Sequence, residues 1–199
     1  MPAGSFVAIL LAAGESTRMG QMKALLDWEG TSLINYQVST LLDAGIAEVI
    51  IVLGHEAAAI QAKVILRDRI RFVMNHAYKE GKTTSIKSGL NALDGASSEG
   101  VMFLNVDQPR TTDTIAMLME CHNDSSAQIT IPTYKQKGGH PIIFDSNLIP
   151  ELLCVKEETF GLKHITDAYS KQTQRLEVAD PSVLWDLNTP DQYNKVHYK

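Results

Sequence analysis

The chain has 199 residues, with 44% hydrophobic and 21% charged side chains, enough for one domain burying about 70% of its unfolded surface. Its net charge of −5 gives no global basic field, which argues against nucleic acid as a partner, and no apolar run reaches membrane-spanning length. The only two cysteines, Cys121 and Cys154, lack metal-ligand spacing and read as reduced thiols of a cytoplasmic protein.

In chain order, Val7–Leu11 is an apolar, partly β-branched run that breaks into Ala12-Ala13-Gly14, a buried strand ending in a loop. Small residues there let a ligand approach the main chain, loop N–H groups attract anions, and Arg18 and Lys23 add two positive charges. The loop is a polyphosphate cradle or a surface turn with stray basic residues. It matches neither G-x-x-x-x-G-K-[ST] nor G-x-G-x-x-G.

Leu25–Gly30 is a short apolar piece and a turn. Ser32 reads as the cap of a helix carrying Ile34, Val38, Leu41 and Leu42, stopped by Gly45. Val49–Leu53 and Ile70–Met74 are further strands, with a helix over about Glu56 to Leu66 between them. Such alternation predicts parallel strands joined by crossover helices in one α/β layered domain spanning residues 1–199.

A loop from Asn75 leads into a helix with Ile86, Leu90 and Leu93 on one face. Thr83, Thr84 and Ser85 are candidate caps, and the helix start is an anion site or a plain capped end. Val101–Val106 is a strand running into Asp107-Gln108-Pro109. A carboxylate at the carboxyl end of a buried strand suits Mg²⁺, or it caps the turn before the proline. Thr111 or Thr112 caps the next helix, with Ile115, Leu118 and Met119 inward.

Gln128–Pro132 and Ile142–Phe144 read as strands flanking a Lys135–Pro141 turn, in which His140 bonds a substrate or holds the loop and Lys137 is compatible with a small anionic ligand. Leu148–Leu153 and Gly161–Tyr169 are short helices. Arg175–Val178 and Val183–Trp185 are late strands, the second placing Asp186 at a strand end. Thr189, Pro190 and Asp191 open the last helix.

Five stretches carry a resemblance. Leu10-Leu-Ala-Ala-Gly-Glu-Ser-Thr-Arg-Met-Gly-Gln-Met-Lys23 resembles the L-A-A-G-x-S-x-R-M-G-x-x-K signature of the MobA-like nucleotidyltransferases. Gly81, Ser85 and Gly89 look like that family's second nucleotide-contacting segment, and Asp107-Gln-Pro109 and Asp186–Asp191 like its metal and closing motifs. Lys137–Phe144 is similar to the G-x-H-P-x-x-F motif of the molybdenum cofactor cytidylyltransferase branch.

The resemblance implies a three-layer α/β/α Rossmann-like fold of the nucleotide-diphospho-sugar transferase type with a mostly parallel mixed sheet. It implies nucleotide contacts from Leu11, Ala12, Ala13, Gly14, Arg18, Lys23, Asn75, Gly81 and Ser85, and Mg²⁺ held by Asp107 and Asp186. Arg18, Lys23 and Asp107 are then the catalytic groups, and His140 and Lys137 lie on the acceptor side. Asn188 stands where relatives often carry Asp.

The sequence has no G-x-S-x-G, Cys–His grouping or zinc spacing, so direct displacement at phosphorus needs no covalent nucleophile. The implied reaction is CMP transfer from CTP to the molybdenum cofactor. Guanylyl transfer from GTP, another phosphate acceptor, or a non-catalytic role as an assembly factor for a molybdenum hydroxylase are the alternatives.

Overall fold

The computed structural model describes residues 5–65, 68–93, 98–159 and 161–197. Ten strands and seven α-helices are assigned among them. The strands are β1 (Phe6–Ala12), β2 (Asp27–Trp28), β3 (Thr31–Ser32), β4 (Glu48–Leu53), β5 (Ile70–Met74), β6 (Gly100–Asn105), β7 (Ile129–Tyr134), β8 (Lys137–Gly138), β9 (Ile142–Asp145) and β10 (Thr173–Glu177). The helices are α1 (Leu33–Asp43), α2 (Ala57–Gln61), α3 (Lys82–Asn91), α4 (Thr112–Asn123), α5 (Ile149–Leu153), α6 (Leu162–Ala168) and α7 (Pro190–His197).

The main sheet runs β10-β7-β9-β6-β1-β4-β5. β1, β4, β5 and β6 pair in parallel, whereas β9 lies antiparallel to both β6 and β7. This is a mostly parallel mixed sheet with helices on both faces.

The layers follow from side-chain alternation along a strand. Every residue of β1 is buried. Phe6, Ala8, Leu10 and Ala12 join α1 and α4 in one core, through Ile34, Val38, Leu41, Ile115 and Leu118. Val7, Ile9 and Leu11 face the other way, against Ile86 and Leu90 of α3 and Leu152 of α5. A strand covered on both faces reads as a continuous apolar run, the pattern seen at Val7–Leu11 and Val49–Leu53. A smaller cluster packs Met19, Leu26, Trp28, Leu33 and Leu187, pinning the first loop and the tail of the chain to one another.

Several sequence expectations are corrected. Val183–Trp185 is no strand: Pro181–Leu184 form a 3-10 turn, capped by Asp180, whose side chain accepts from Ser182 N–H. Asp186 therefore follows a turn and not a strand end. Thr83, Thr84 and Ser85 lie inside α3, whose N-cap position is Gly81. Ser32 holds the N-cap position of α1 without capping it, because its hydroxyl accepts from Asn35 instead. α2 is a short helix over Ala57–Gln61, and Leu66, the expected end of that helix, is outside the described residues. No helix among the described residues is long and apolar enough to cross a membrane.

Candidate functional site

At the carboxyl ends of β1, β4 and β6 lies a cleft of about 480 Å³. Open α/β sheets bind ligands at this edge, where loops leave the strands. Leu11, Ala12, Ala13 and Gly14 form one wall, and Gly81, Lys82 and Ser85 at the start of α3 another. Lys23, Asp107, Gln108, His140, Asp186 and Asn188 close it.

Two segments far apart in sequence are stitched together here. Asp107 Oδ2 accepts from Lys23 Nζ at 2.7 Å, an ion pair only about one-eighth exposed at the lysine. The same ammonium donates to Asn188 Oδ1 at 2.8 Å. The Asp107 carbonyl accepts from Leu187 N–H at 2.9 Å. Gln108 Nε2 donates to Asp186 Oδ1 at 2.5 Å across 78 residues. Asp107 and Asp186 thus share one cleft wall.

Behind them stand three polar residues that sequence reading did not single out. Gln37 of α1 is fully buried and donates to the carbonyls of Gln108 at 2.7 Å and Asn105 at 3.1 Å, fixing the turn that presents Asp107. Gln108 uses its carbonyl oxygen on Asn105 N–H and its amide on Asp186, so a single side chain joins both loops.

Arg110 is 1% exposed. It donates to the carbonyls of His140 (2.7 Å), Pro109 (2.8 Å), Val183 (3.2 Å) and Trp185 (3.2 Å). Burial pulls its guanidinium down to about 10, while Asp186, Asp180 and Asp107 hold the charge up. It remains a cation at neutral pH and ties the His140 loop to the segment before Asp186.

The expected site residues divide. Leu11, Ala12, Ala13, Gly14, Lys23, Gly81, Ser85, Asp107, Asp186 and His140 line the cleft. Arg18 is exposed and lies outside that lining, its guanidinium donating to Asn188 Oδ1 at 3.1 Å. Asn75 is buried, and its amide nitrogen donates to Thr84 Oγ1 and Ser85 Oγ, so it reaches the cleft only through Ser85. Lys137 sits exposed on β8 and lines no part of the cleft. Asn188, the departure from Asp, serves as acceptor for both basic residues.

His140 precedes a cis peptide bond to Pro141. Its loop is held through the backbone, with His140 N–H donating to Val183 O and His140 O accepting from Arg110, rather than through the ring. Burial, with Lys82 and Arg110 nearby, pushes the imidazole down to about 4, so it is neutral at physiological pH.

A measurable pH dependence of stability follows. The unfolded chain takes up this proton near 6.5 and the folded chain only near 4, so unfolding is coupled to proton uptake in that window. His140 is expected to remove up to about 2 kcal/mol of stability between pH 7 and pH 5. Urea midpoints at the two pH values check this: His140→Gln should shrink the difference, and an unchanged difference contradicts it.

The donor set suits a hard divalent cation. Asp107 spends one carboxylate oxygen on Lys23 and Asp186 one on Gln108. Each keeps its other oxygen without a hydrogen bond among the described residues. Two carboxylates completed by phosphate oxygens and water is the coordination Mg²⁺ favours. No cluster of three or more His, Cys, Asp or Glu able to hold a metal occurs among the described residues, so no all-protein cage competes with that arrangement.

The family model of the MobA-like NTP transferase domain matches residues 8–174. The chain belongs to that family. It is 29% identical over 191 residues to nicotine blue oxidoreductase of Paenarthrobacter nicotinovorans, covering 92% of each chain. It is 24% identical over 188 residues to the molybdenum cofactor cytidylyltransferase of Escherichia coli (strain K12), covering 93% of this chain and 92% of that one. Among solved structures, Rv0371c from Mycobacterium tuberculosis H37Rv superposes with a TM-score of 0.85 at 23% identity, over 98% of both chains. A structure of that protein in complex with manganese gives 0.81 at 21% identity, again over 98% of both chains. The fold is that of the nucleotide-diphospho-sugar transferases, and the MobA-like domain makes this chain a nucleotidyltransferase.

Proposed function

We propose that this cleft transfers CMP from CTP to the phosphate of the molybdenum cofactor, releasing pyrophosphate, with Mg²⁺ held by Asp107 and Asp186. The observation that carries the reading is the stitching of Asp107 to Asp186 through Gln108 and the Asp107–Leu187 backbone bond, beside the Lys23 ion pair. Likeness to a molybdenum cofactor cytidylyltransferase over nearly the whole chain supports this choice of substrates. A structural neighbour in complex with manganese is in keeping with a divalent cation.

In this reading the backbone of Leu11–Gly14 receives the nucleotide, with Gly81 and Ser85 opposite and Asn75 holding Ser85 in place. Lys23 carries the triphosphate's negative charge, and Arg18 on the rim meets its outer end. A phosphate monoester is already ionised at neutral pH, so attack at the α-phosphorus requires no dedicated base. The cation, when bound, withdraws charge from the phosphoryl oxygens. The protein's part is positioning and fixed charge. His140, neutral, faces the acceptor as a hydrogen-bonding group, with Lys137 farther out on the same loop. A molybdenum hydroxylase in the cytoplasm is the natural recipient of the product.

Because the chain is also 29% identical to nicotine blue oxidoreductase over as much of its length, a second reading has the nucleotidyl transfer serve a phosphate acceptor other than the molybdenum cofactor. Pyrophosphate release from CTP, Mg²⁺ and molybdenum cofactor decides between them. CTP is expected to support release at least about tenfold faster than GTP. Faster release with GTP assigns the guanylyl reaction, and nucleotide binding without release from either favours the second reading or the assembly role.

A further inference from the structure

Four charged side chains line the cleft: Lys23, Lys82, Asp107 and Asp186. Three of them are already engaged. Lys23 bonds Asp107 and Asn188, and Asp186 accepts from Gln108. Lys82 differs: the residue is exposed, and its ammonium makes no hydrogen bond or ion pair among the described residues. Burial pulls its pKa below that of an ordinary lysine, and Asp107, Asp186 and Glu157 act in the opposite sense.

Local structure fixes it there. Lys82 is the first residue of α3 and follows Gly81, whose φ of +122° suits glycine. A Cβ on Gly81 would also run into the Glu157 side chain. The next N–H, that of Thr83, donates to Glu157 Oε1 at 2.6 Å, so this helix end has already drawn one anionic group from a distant loop. The other cationic candidates do not supply a free charge inside the cleft. Arg110 is saturated by four carbonyls, Arg18 lies outside the lining, and His140 is uncharged. Without Lys82 the side chains of the lining carry a net negative charge until a cation binds, which disfavours phosphate.

We infer that Lys82 is a second phosphate-binding cation of this cleft, its ammonium donating to a phosphoryl oxygen of the bound nucleotide or of the phosphate-bearing acceptor. The inference rests on the phosphoryl-transfer reading of the site and names a residue that reading does not require. An ammonium with its donors unclaimed loses little on meeting a phosphate, whereas Lys23 must share its charge with Asp107.

Lys82→Gln and Lys82→Arg in the full chain test it. CTP and, separately, inorganic pyrophosphate are titrated calorimetrically with Mg²⁺, and the KM for molybdenum cofactor is read from pyrophosphate release. Lys82→Gln should weaken CTP or pyrophosphate at least about tenfold, or raise the acceptor KM by as much with CTP affinity unchanged. The first result assigns the nucleotide's phosphates and the second the acceptor's. Lys82→Arg should recover most of the loss, and both variants should melt like the parent. Affinities and KM all within twofold of the parent overturn the inference. If no nucleotide is turned over, the pyrophosphate titration still decides: a loss in Lys82→Gln retains the phosphate site while the CTP reading falls, and an unchanged affinity removes the site.

Discussion

Asp107→Asn is expected to lower kcat for pyrophosphate release by about a thousandfold while leaving the fold intact. The substitution keeps the side chain's shape and one carbonyl oxygen for Lys23, so the 2.7 Å contact survives as an ordinary hydrogen bond. What disappears is the negative charge beside Asp186. Removing one preorganised electrostatic contact from a reacting centre typically costs 10²–10³ in rate, and a carboxylate expected to hold a divalent cation belongs at the upper end. Stability should change little, since the pair sits at a cleft wall and the turn is held by Gln37 and Leu187 through backbone atoms. The checks are kcat at saturating CTP, melting temperature, and Mn²⁺ affinity by electron paramagnetic resonance. Parent-like Mn²⁺ binding together with a kcat within tenfold of the parent would remove Asp107 from the chemistry.

The parts of the fold that were legible are those in which one local rule acts alone. β1, β4 and β6 are covered on both faces, so their apolar runs stand out without periodicity. α1 and α4 showed their inward stripes. The segment at 181–187 misled because three apolar residues carry no usable period. Asp180 followed by Pro181 was the better signal, a cap and a proline at the first helical position. The start of α3 misled for another reason: its Thr-Thr-Ser run satisfies a local capping pattern, but a carboxylate 74 residues away takes the first-turn N–H of Thr83.

In the site, the loop 11–14 and Lys23 were readable from small residues and charge. That Asp107 and Asp186 share a wall was implied only by the family resemblance and not by local residue pattern, because it depends on the Gln108 amide and a single backbone bond. Gln37 left a trace: a polar residue on the apolar stripe of Ile34, Val38 and Leu41 must find partners in the interior, and here they are the carbonyls of the Asp107 turn. Arg110 left a similar one, a lone cation between a buried strand and a buried helix face.

Arg110→Met carries the largest expected stability loss. Methionine fills much of the space and removes the buried charge, which by itself is no penalty. The four carbonyls are the difficulty. Val183 O keeps a donor in His140 N–H, but those of His140, Pro109 and Trp185 lose the Arg110 contact in a place water reaches poorly. At about 1–3 kcal/mol for each unsatisfied group, the expected loss is about 4 kcal/mol or more. For a chain of this size that lowers the melting temperature by roughly 10–15 °C. Arg110→Lys should recover only part, because one ammonium cannot span carbonyls on three segments. Function should fail ahead of folding: at temperatures where Arg110→Met is still native, among the described residues only the His140–Val183 backbone bond ties the 183–186 segment to the His140 loop, and Asp186 is held less firmly beside Asp107. Calorimetric melting, and Mn²⁺ affinity measured well below the melting point, separate the two effects. A loss under about 1.5 kcal/mol with parent-like metal binding would mean that water replaces the guanidinium and that the Gln108–Asp186, Leu187–Asp107 and Lys23 bonds hold the two loops without it.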